Sequence, residues 1–314
     1  FGHRDSFAFW EDDLLYEGES VYNYLQVKET EDSVILSTNV LFGVQSVRQK
    51  DGGLTGMYYD TALAAPLMAG IEEKETFDIL ILGMGSGTYA AQCQEFFGGR
   101  DGRPLSIEGV EIDQDITDLA REYFALPEEV SVSTYDGRAY LQAVDKQYDV
   151  ILVDAYQDIT IPFQMSTVEF FTLVRDHLKP DGVMAVNMNM HSDGEGSINA
   201  HLCDTISSVF DAVYTADVPR TTNRELFAWN GTDALETLSD GTAALTRADL
   251  RQNLEDVAQR LTPYTAGDLL LTDDRAPVEL LGIQVIDSLI QDEVAHYREL
   301  YEREGLQGVV ESLL

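Results

Sequence analysis

One stretch, residues 77–154, constrains the fold more than any other part of this 314-residue chain. An apolar strand sequence, FDILILG, runs into a glycine-rich turn at 83–87, and the helical sequence YAAQCQEFF follows. Three further strand patterns come next, and they end near Glu111, Asp136 and Asp154. Strands that alternate with helices in this way predict an α/β, Rossmann-like fold: a mostly parallel sheet, of the class I methyltransferase type, with helices on both faces.

The same stretch predicts a nucleoside site. Ligands of such sheets bind beyond the carboxyl ends of the strands, so the turn and the strand-end acids are expected to face one crevice. Gly83, Gly85 and Gly87 would let a ligand approach the backbone, and the Glu111 carboxylate is suited to bind both ribose hydroxyls. Asp136, with Gly137, is expected near the adenine; the turn lacks the third glycine of GxGxxG. The pattern favours an S-adenosyl ligand over NAD, its obvious competitor.

The rest of the chain predicts attachments to this nucleoside domain. Residues 14–50 look β-rich, with apolar and polar positions that alternate, and a β-rich N-terminal domain is expected over 1–54. The nucleoside-binding catalytic domain is expected over 55–244, and 245–314 as a mainly helical extension of that domain. The helical sequence at 57–71 contains Pro66, so a kink or a break is expected there.

Composition excludes several classes of protein. The net charge is −36, and such a surface repels phosphate backbones, so no nucleic-acid partner is expected. No apolar run approaches the roughly 20 residues that span a bilayer, and no signal peptide opens the chain, so a cytoplasmic location without membrane contact is expected. What preceded Phe1 stays open, including a membrane region. The five histidines are scattered, and His191 and His201 lack ligand spacing, so no metal is expected.

An ordered set of motifs resembles the spermidine synthase (polyamine aminopropyltransferase) family over nearly the full length, in the manner of a divergent member. The family's opening strand, E-S-x-Y-Q-x-I-x-V, and its Y-Q/H-E-x-L-x-x-x-P-L helix are each similar to a segment here. So are its G-G-G-D-G turn, its V-E-I-D and G-D-G motifs, and its Y-D-V-I-I-x-D-x-x-D-P segment. The corresponding segments are ESVYNYLQV (19–27), GMYYDTALAAPLM (56–68), LILGMGSGT (80–88), GVEID (109–113), YDG (135–137) and YDVILVDAYQD (148–158).

This resemblance implies an activity and roles for single residues. Members move the aminopropyl group of decarboxylated S-adenosylmethionine to an amine such as putrescine and release methylthioadenosine. Asp154 corresponds to the carboxylate that handles the amine. Tyr58, with Tyr59 beside it, corresponds to the tyrosine of the acceptor channel. Asn23 and Gln45 lie where the family has glutamines near the donor. A small-molecule amine acceptor and a homo-oligomer, commonly a dimer, are implied as well.

Departures from the family pattern leave three functions open. Ser86 stands where the family has the Asp that holds the donor's ammonium, and Gln157 replaces the second Asp of the gate loop, with Asp158 one place later. Aminopropyl transfer is the leading hypothesis. Methyl transfer from intact S-adenosylmethionine is the alternative that Ser86 favours, because a hydroxyl tolerates the donor's carboxylate. A non-catalytic nucleoside- or polyamine-binding paralogue is the third. An acidic turn at 271–280 is expected to line the acceptor end or to cap a helix.

Overall fold

The computed structural model describes residues 13–38, 44–99, 103–155, 161–188, 194, 196–231, 233–279, 281 and 303. Within these residues the strands form two sheets, one of four strands and one of eight. The smaller sheet consists of β1 (Leu14–Glu19), β2 (Tyr24–Glu29), β3 (Ser33–Thr38) and β4 (Val44–Gln49), each antiparallel to the next. This confirms the expected β-rich start.

Apolar side chains on one face of the smaller sheet pack against the rest of the protein. Leu25, Val27 and Leu36 are wholly buried, and they share one apolar cluster with Ile116 and Leu119. Since successive side chains of a strand point to opposite faces, these three lie on the buried face of the sheet. The small sheet is therefore held against the nucleoside domain by side chains that follow the second parallel strand.

The larger sheet carries the parallel part of the fold. Its order is β12-β10-β11-β9-β8-β5-β6-β7; β5 to β9 pair in parallel, and the β9–β11, β11–β10 and β10–β12 pairs are antiparallel. The strands are β5 (Phe77–Leu82), β6 (Leu105–Glu111), β7 (Ser131–Thr134), β8 (Tyr148–Val153), β9 (Leu178–Met188), β10 (Ala212–Asp217), β11 (Arg224–Trp229) and β12 (Thr262–Pro263). The mostly parallel α/β sheet expected from the sequence is confirmed.

Helices cover both faces of this sheet, as expected. One apolar cluster packs α1, α2, α3, α8 and α9 on one face, and a second packs α5, α6 and α7 on the other. The helices are α1 (Tyr58–Ala62), α2 (Ala64–Met68), α3 (Thr88–Phe97), α4 (Gln114–Tyr123), α5 (Gly137–Ala143), α6 (Val168–Asp176), α7 (Ile198–Ser207), α8 (Ala234–Ala244) and α9 (Ala248–Arg260). Among the described residues, no helix is both long and apolar enough to cross a bilayer.

The helix expected at 57–71 is broken, which confirms the effect of its proline. α1 ends at Ala62, and α2 begins at Ala64. Pro66 has no N–H to donate to the Ala62 carbonyl four residues earlier, and its ring crowds that carbonyl. The Tyr89 hydroxyl donates a hydrogen bond to this carbonyl instead, over 3.2 Å. The break therefore leaves no orphaned backbone oxygen at Ala62.

The C-terminal part of the described chain packs on the same face as α1 and α2. Leu238 of α8 and Leu254 of α9 belong to the apolar cluster that contains Leu63 and Leu67. The division of the chain at residues 54 and 244 stays a prediction. Most of the residues beyond 279 lie outside the described part.

Candidate active site

A cavity of about 180 Å³ lies at the carboxyl ends of β5, β6 and β8, between the large sheet and the small one. Most of the residues that the sequence singled out line it. They are Asn23, Gln45, Tyr58, Tyr59, Gly83, Gly85, Glu111, Asp136, Gly137 and Asp154. Gln157 and Asp158, from the gate loop, lie outside the described residues.

The glycine turn that follows β5 packs directly against the end of β8. Gly83 has φ +83°, and a Cβ added to it would lie 2.5 Å from the Asp154 carbonyl oxygen. No other residue type fits that approach, so Gly83 fixes the distance between the turn and Asp154. The backbone N–H groups of Gly83 and Met84 both donate to the Val110 carbonyl, which ties the turn to β6 as well.

Glu111 lies at the floor of the cavity, at the end of β6. The Gly85 N–H donates to its Oε2 over 2.8 Å, and the Asp113 N–H donates to its Oε1 over 3.1 Å. Burial raises the pKa of this carboxyl, and these N–H groups oppose that shift. A carboxylate offers about four acceptor positions, so these N–H groups leave acceptor capacity for hydroxyl donors.

Asp154 is the most constrained acid of the cavity. It follows β8 directly, and its N–H donates to the Leu82 carbonyl. The Tyr58 hydroxyl donates to its Oδ2 over 2.5 Å, and the Asn187 amide donates to its Oδ1 over 2.8 Å. Burial raises the pKa of Asp154 to about 7; these two hydrogen bonds oppose the rise, and the Glu111 charge adds to it. A carboxyl with this pKa can accept a proton at neutral pH.

The sequence interpretation missed two residues that hold Asp154. Asn187, on β9, accepts a hydrogen bond over 2.9 Å from the side chain of Asn223, which itself is buried at the start of β11. This second amide orients the first, so the Asn187 N–H points at the carboxylate. A signal was present: Asn187 interrupts the apolar run GVMAVNM, where a polar side chain needs a buried partner.

Tyr59 and Gln45 connect helix α1 to the small sheet. The Tyr59 hydroxyl is within hydrogen-bond distance of the Gln45 carbonyl, at 3.1 Å, and of Ser46 Oγ, at 3.2 Å. The Gln45 side chain accepts from Thr38 over 3.1 Å. Both side chains line the cavity, so the wall formed by the small sheet is fixed by the helix that also carries Tyr58.

Two of the polar side chains in the cavity wall also form hydrogen bonds at the N-terminal ends of helices. Asn23 donates over 3.1 Å to Asp113, which also accepts from Ser20 and caps α4. Asp136 caps α5 by accepting from the Ala139 N–H over 2.8 Å. Both residues also line the cavity.

The structure does not bring Ser86 and Gly87 to the cavity, contrary to the expectation that they bind the donor. Ser86 is 1% exposed, and its hydroxyl lies 3.0 Å from that of Thr88, which donates to the Val47 carbonyl. The Ser86 side chain thus points beneath the small sheet. A Cβ on Gly87 would lie 2.5 Å from Leu126 Cδ1, so Gly87 serves close packing.

The acidic turn at 271–280 is connected to the cavity wall by hydrogen bonds and an ion pair through Asp273. Arg138 donates to both carboxylate oxygens of Asp273, over 2.8 and 2.6 Å, and Thr167 donates to Asp273 as well. Arg138 also donates to the carbonyl of Gln164, a cavity-lining residue. Within the described part of the chain, no group of three or more His, Cys, Asp or Glu side chains could hold a metal ion.

Comparison with known proteins places these features in one family. A family model described as "Spermine/spermidine synthase domain" matches residues 65–231. A protein of Bifidobacterium longum (strain NCC 2705) named "Probable polyamine aminopropyl transferase" is 55% identical over 324 aligned residues. That alignment covers 98% of this chain and 71% of the relative.

Solved structures share the fold. A probable spermidine synthase from Corynebacterium glutamicum ATCC 13032 matches with a TM-score of 0.59 and 17% identity, over 81% of this chain and 98% of that one. Human Methyltransferase-like protein 13, solved in complex with SAH, matches with a TM-score of 0.52 and 20% identity, over 69% of this chain and 98% of that one. At these identities the similarity concerns the fold alone.

Proposed function

The chain belongs to the spermine/spermidine synthase family, and on that premise we propose that it is a polyamine aminopropyltransferase. The donor is decarboxylated S-adenosylmethionine, the acceptor is a diamine or polyamine, and the nucleoside product is methylthioadenosine. The observation that carries the proposal is the setting of Asp154. This acid lies partly buried at the cavity, is held by Tyr58 and Asn187, and has its pKa raised to about 7.

The proposed reaction needs one proton acceptor and accurate placement of two reactants. The neutral amine nitrogen attacks the carbon next to the sulfonium, a C–N bond forms, and the C–S bond breaks with its electron pair going to sulfur. The acceptor arrives as an ammonium ion, so it must lose one proton first. Asp154 takes that proton, and the hydrogen bonds from Tyr58 and Asn187 keep its carboxylate oriented toward the amine.

The proposed donor site uses the other acids of the cavity. Glu111 accepts hydrogen bonds from the ribose hydroxyls through the acceptor positions that Gly85 and Asp113 leave open. Asp136 and Gly137 flank the adenine at the start of α5. Gly85 lines the cavity with φ +56°, a backbone conformation that favours glycine, so the donor can approach the backbone there.

The placement of Ser86 does not favour the methyltransferase alternative. It depended on Ser86 facing the donor's arm, where a hydroxyl would accept a carboxylate that Asp would repel. The Ser86 side chain is bonded to Thr88 and does not line the cavity among the described residues. Measured turnover would exclude the other alternative, a non-catalytic nucleoside- or polyamine-binding paralogue.

Asp154→Asn separates chemistry from binding. Without a proton acceptor the variant is expected to lose at least about a hundredfold in kcat, while affinity for methylthioadenosine stays within about threefold. For the wild type, kcat/KM is expected to rise as pH increases through about 7, because the carboxyl is active when ionised.

The assay incubates decarboxylated or intact S-adenosylmethionine with putrescine, spermidine or agmatine and identifies products by mass spectrometry. Methylthioadenosine with an aminopropylated amine supports the proposal. S-adenosylhomocysteine from the intact donor would instead indicate methyl transfer. Normal turnover by Asp154→Asn would show that Asp154 is structural, and binding without either product would favour the non-catalytic paralogue.

A further inference from the structure

Glu225 is a buried acid that the proposed mechanism does not use. It lies on β11, is 0% exposed, and neither of its carboxylate oxygens has a hydrogen-bond partner among the described residues. Buried polar groups in folded proteins are nearly always paired, because an unpaired one destabilises the fold. An apolar side chain would fill this strand position at less cost, so the acid calls for a functional explanation.

The sheet places Glu225 beside Asn187, the residue that binds the Asp154 carboxylate. Glu225 is the direct cross-strand partner of Asn187 in the β9–β11 pair, and Asn187 donates to Asp154. Side chains two residues apart share a face of a strand, and Phe227 and Trp229 belong to the apolar cluster beneath α1. Glu225 therefore continues that face toward the edge of the sheet at which Asp154 lies, and it stands behind the residues that line the cavity.

The titratable groups that the described residues place in electrostatic contact with Glu225 are acids. These groups are Asp154 at the end of β8, Tyr59 on α1 and Tyr89 on α3. Among these groups, Asp154 is the one whose charge acts most strongly on Glu225. Burial, and then the charge of Asp154, raise the pKa of Glu225 well above its ordinary range. Two neighbouring acids without a cation cannot both ionise cheaply in a buried site.

The reactants of the proposed function supply the missing cation. The donor carries a permanent sulfonium charge and the acceptor an ammonium charge, and both enter the cavity beside Asp154. We propose that Glu225 holds a proton in the ligand-free protein and releases it when these cations bind, so that it supplies a second negative charge to the site. Only an O–H bond breaks, and the proton passes to solvent. This inference rests on the proposed function.

Proton release on donor binding is the direct test. Calorimetric titrations with decarboxylated S-adenosylmethionine, in buffers of different ionisation enthalpy from about pH 6 to about pH 8.5, give the number of protons released. At the acidic end Asp154 contributes, since its pKa is about 7. Above about pH 8, where Asp154 is already ionised, the wild type is expected to release up to about one further proton per donor bound.

Two variants separate the contribution of Glu225. Glu225→Gln is nearly isosteric, and Glu225→Met removes the buried polar group, so at least one is expected to fold; circular dichroism checks this. Both variants are expected to release protons on donor binding near pH 7, as the wild type does, but not above pH 8. Above pH 8 both are expected to bind the donor about tenfold more weakly than the wild type. Affinity for methylthioadenosine, which is neutral, is expected to stay within about twofold.

The outcomes distinguish this inference from the proposed function. If the wild type forms an aminopropylated amine but all three proteins release the same number of protons above pH 8, the inference is wrong and the function stands. If the wild type neither binds decarboxylated S-adenosylmethionine nor forms product, both are wrong. If a folded variant loses the same affinity for the donor and for methylthioadenosine, the inference is also wrong. An effect of the Glu225 charge would weaken binding of the cationic donor and not of the neutral product.

Discussion

The Ser86 hydroxyl donates to that of Thr88, because the Thr88 proton is already given to the Val47 carbonyl. The G-G-G-D-G turn of the spermidine synthase family has an aspartate at the corresponding place. An aspartate at position 86 of this chain would therefore bury a carboxylate beneath the small sheet. We expect Ser86→Asp to lower the free energy of unfolding by about 2–3 kcal/mol and to leave the choice between decarboxylated and intact donor unchanged. Urea denaturation and competition between the two donors measure these effects.

Ser86→Ala is the matched control for that substitution. It removes one hydrogen bond without adding charge, so a loss of only about 1 kcal/mol is expected. If Ser86→Asp instead shifts donor preference toward the decarboxylated form at unchanged stability, the side chain faces the donor's arm and its placement here is wrong.

Local patterns in the sequence were sufficient to predict the elements but not every contact of the site. The order of strands and helices, the break at Pro66 and the shared edge of Glu111, Asp136 and Asp154 depend on periodicity and on general properties of parallel sheets. The meeting of Asn187 with Glu225 depends on β11 inserting antiparallel between β9 and β10. Such non-local pairing has no local signature, so the contacts that Asn187 makes with Asp154 and Glu225 could not be predicted.

The broken helix α1–α2 gives a prediction about how an element supports the site. Tyr89→Phe removes the hydroxyl that binds the Ala62 carbonyl, and the free energy of unfolding is expected to fall by about 1–2 kcal/mol. Because α1 carries Tyr58, which binds Asp154, a modest decrease in kcat is expected as well. Denaturant titration and steady-state kinetics measure the two effects.

Tyr214→Phe is the matched control, since Tyr214 stacks on Trp229 and its hydroxyl has no hydrogen bond among the described residues. It should change stability by less than about 0.5 kcal/mol. Equal losses in the two variants would show that the Tyr89 hydroxyl does not support the break.

The two ends of the large sheet are built differently. At the carboxyl ends, the described residues that line the cavity include Glu111, Asp136 and Asp154 but no Lys, Arg or His, whereas the amino ends hold three of the chain's five lysines. Lys179 binds both Asp78 and Asp149, at 2.9 and 2.6 Å, and Lys74 also binds Asp149, which is wholly buried. The few lysines are thus used where a buried carboxylate needs them, and the cavity is left with negative charge that cationic reactants neutralise.

The large negative net charge predicts how the thermal stability of the protein depends on salt concentration. With a formal charge of −36, repulsion between surface carboxylates opposes the compact state, and added salt screens it. From about 0.1 M to about 1 M sodium chloride the screening length falls from about 10 Å to about 3 Å, so Tm is expected to rise. Ion pairs of the buried Asp149 are screened much less, so they should not cancel the gain.

Lys179→Met tests whether the buried pairs behave as this argument requires. The variant leaves Asp149 with one lysine fewer, so its Tm is expected to be lower at every salt concentration, while the rise between low and high salt stays. Differential scanning calorimetry at both concentrations measures the two quantities together. A wild-type Tm that falls with salt would mean that ion pairs, rather than the surplus of negative charge, dominate the electrostatic free energy of the fold.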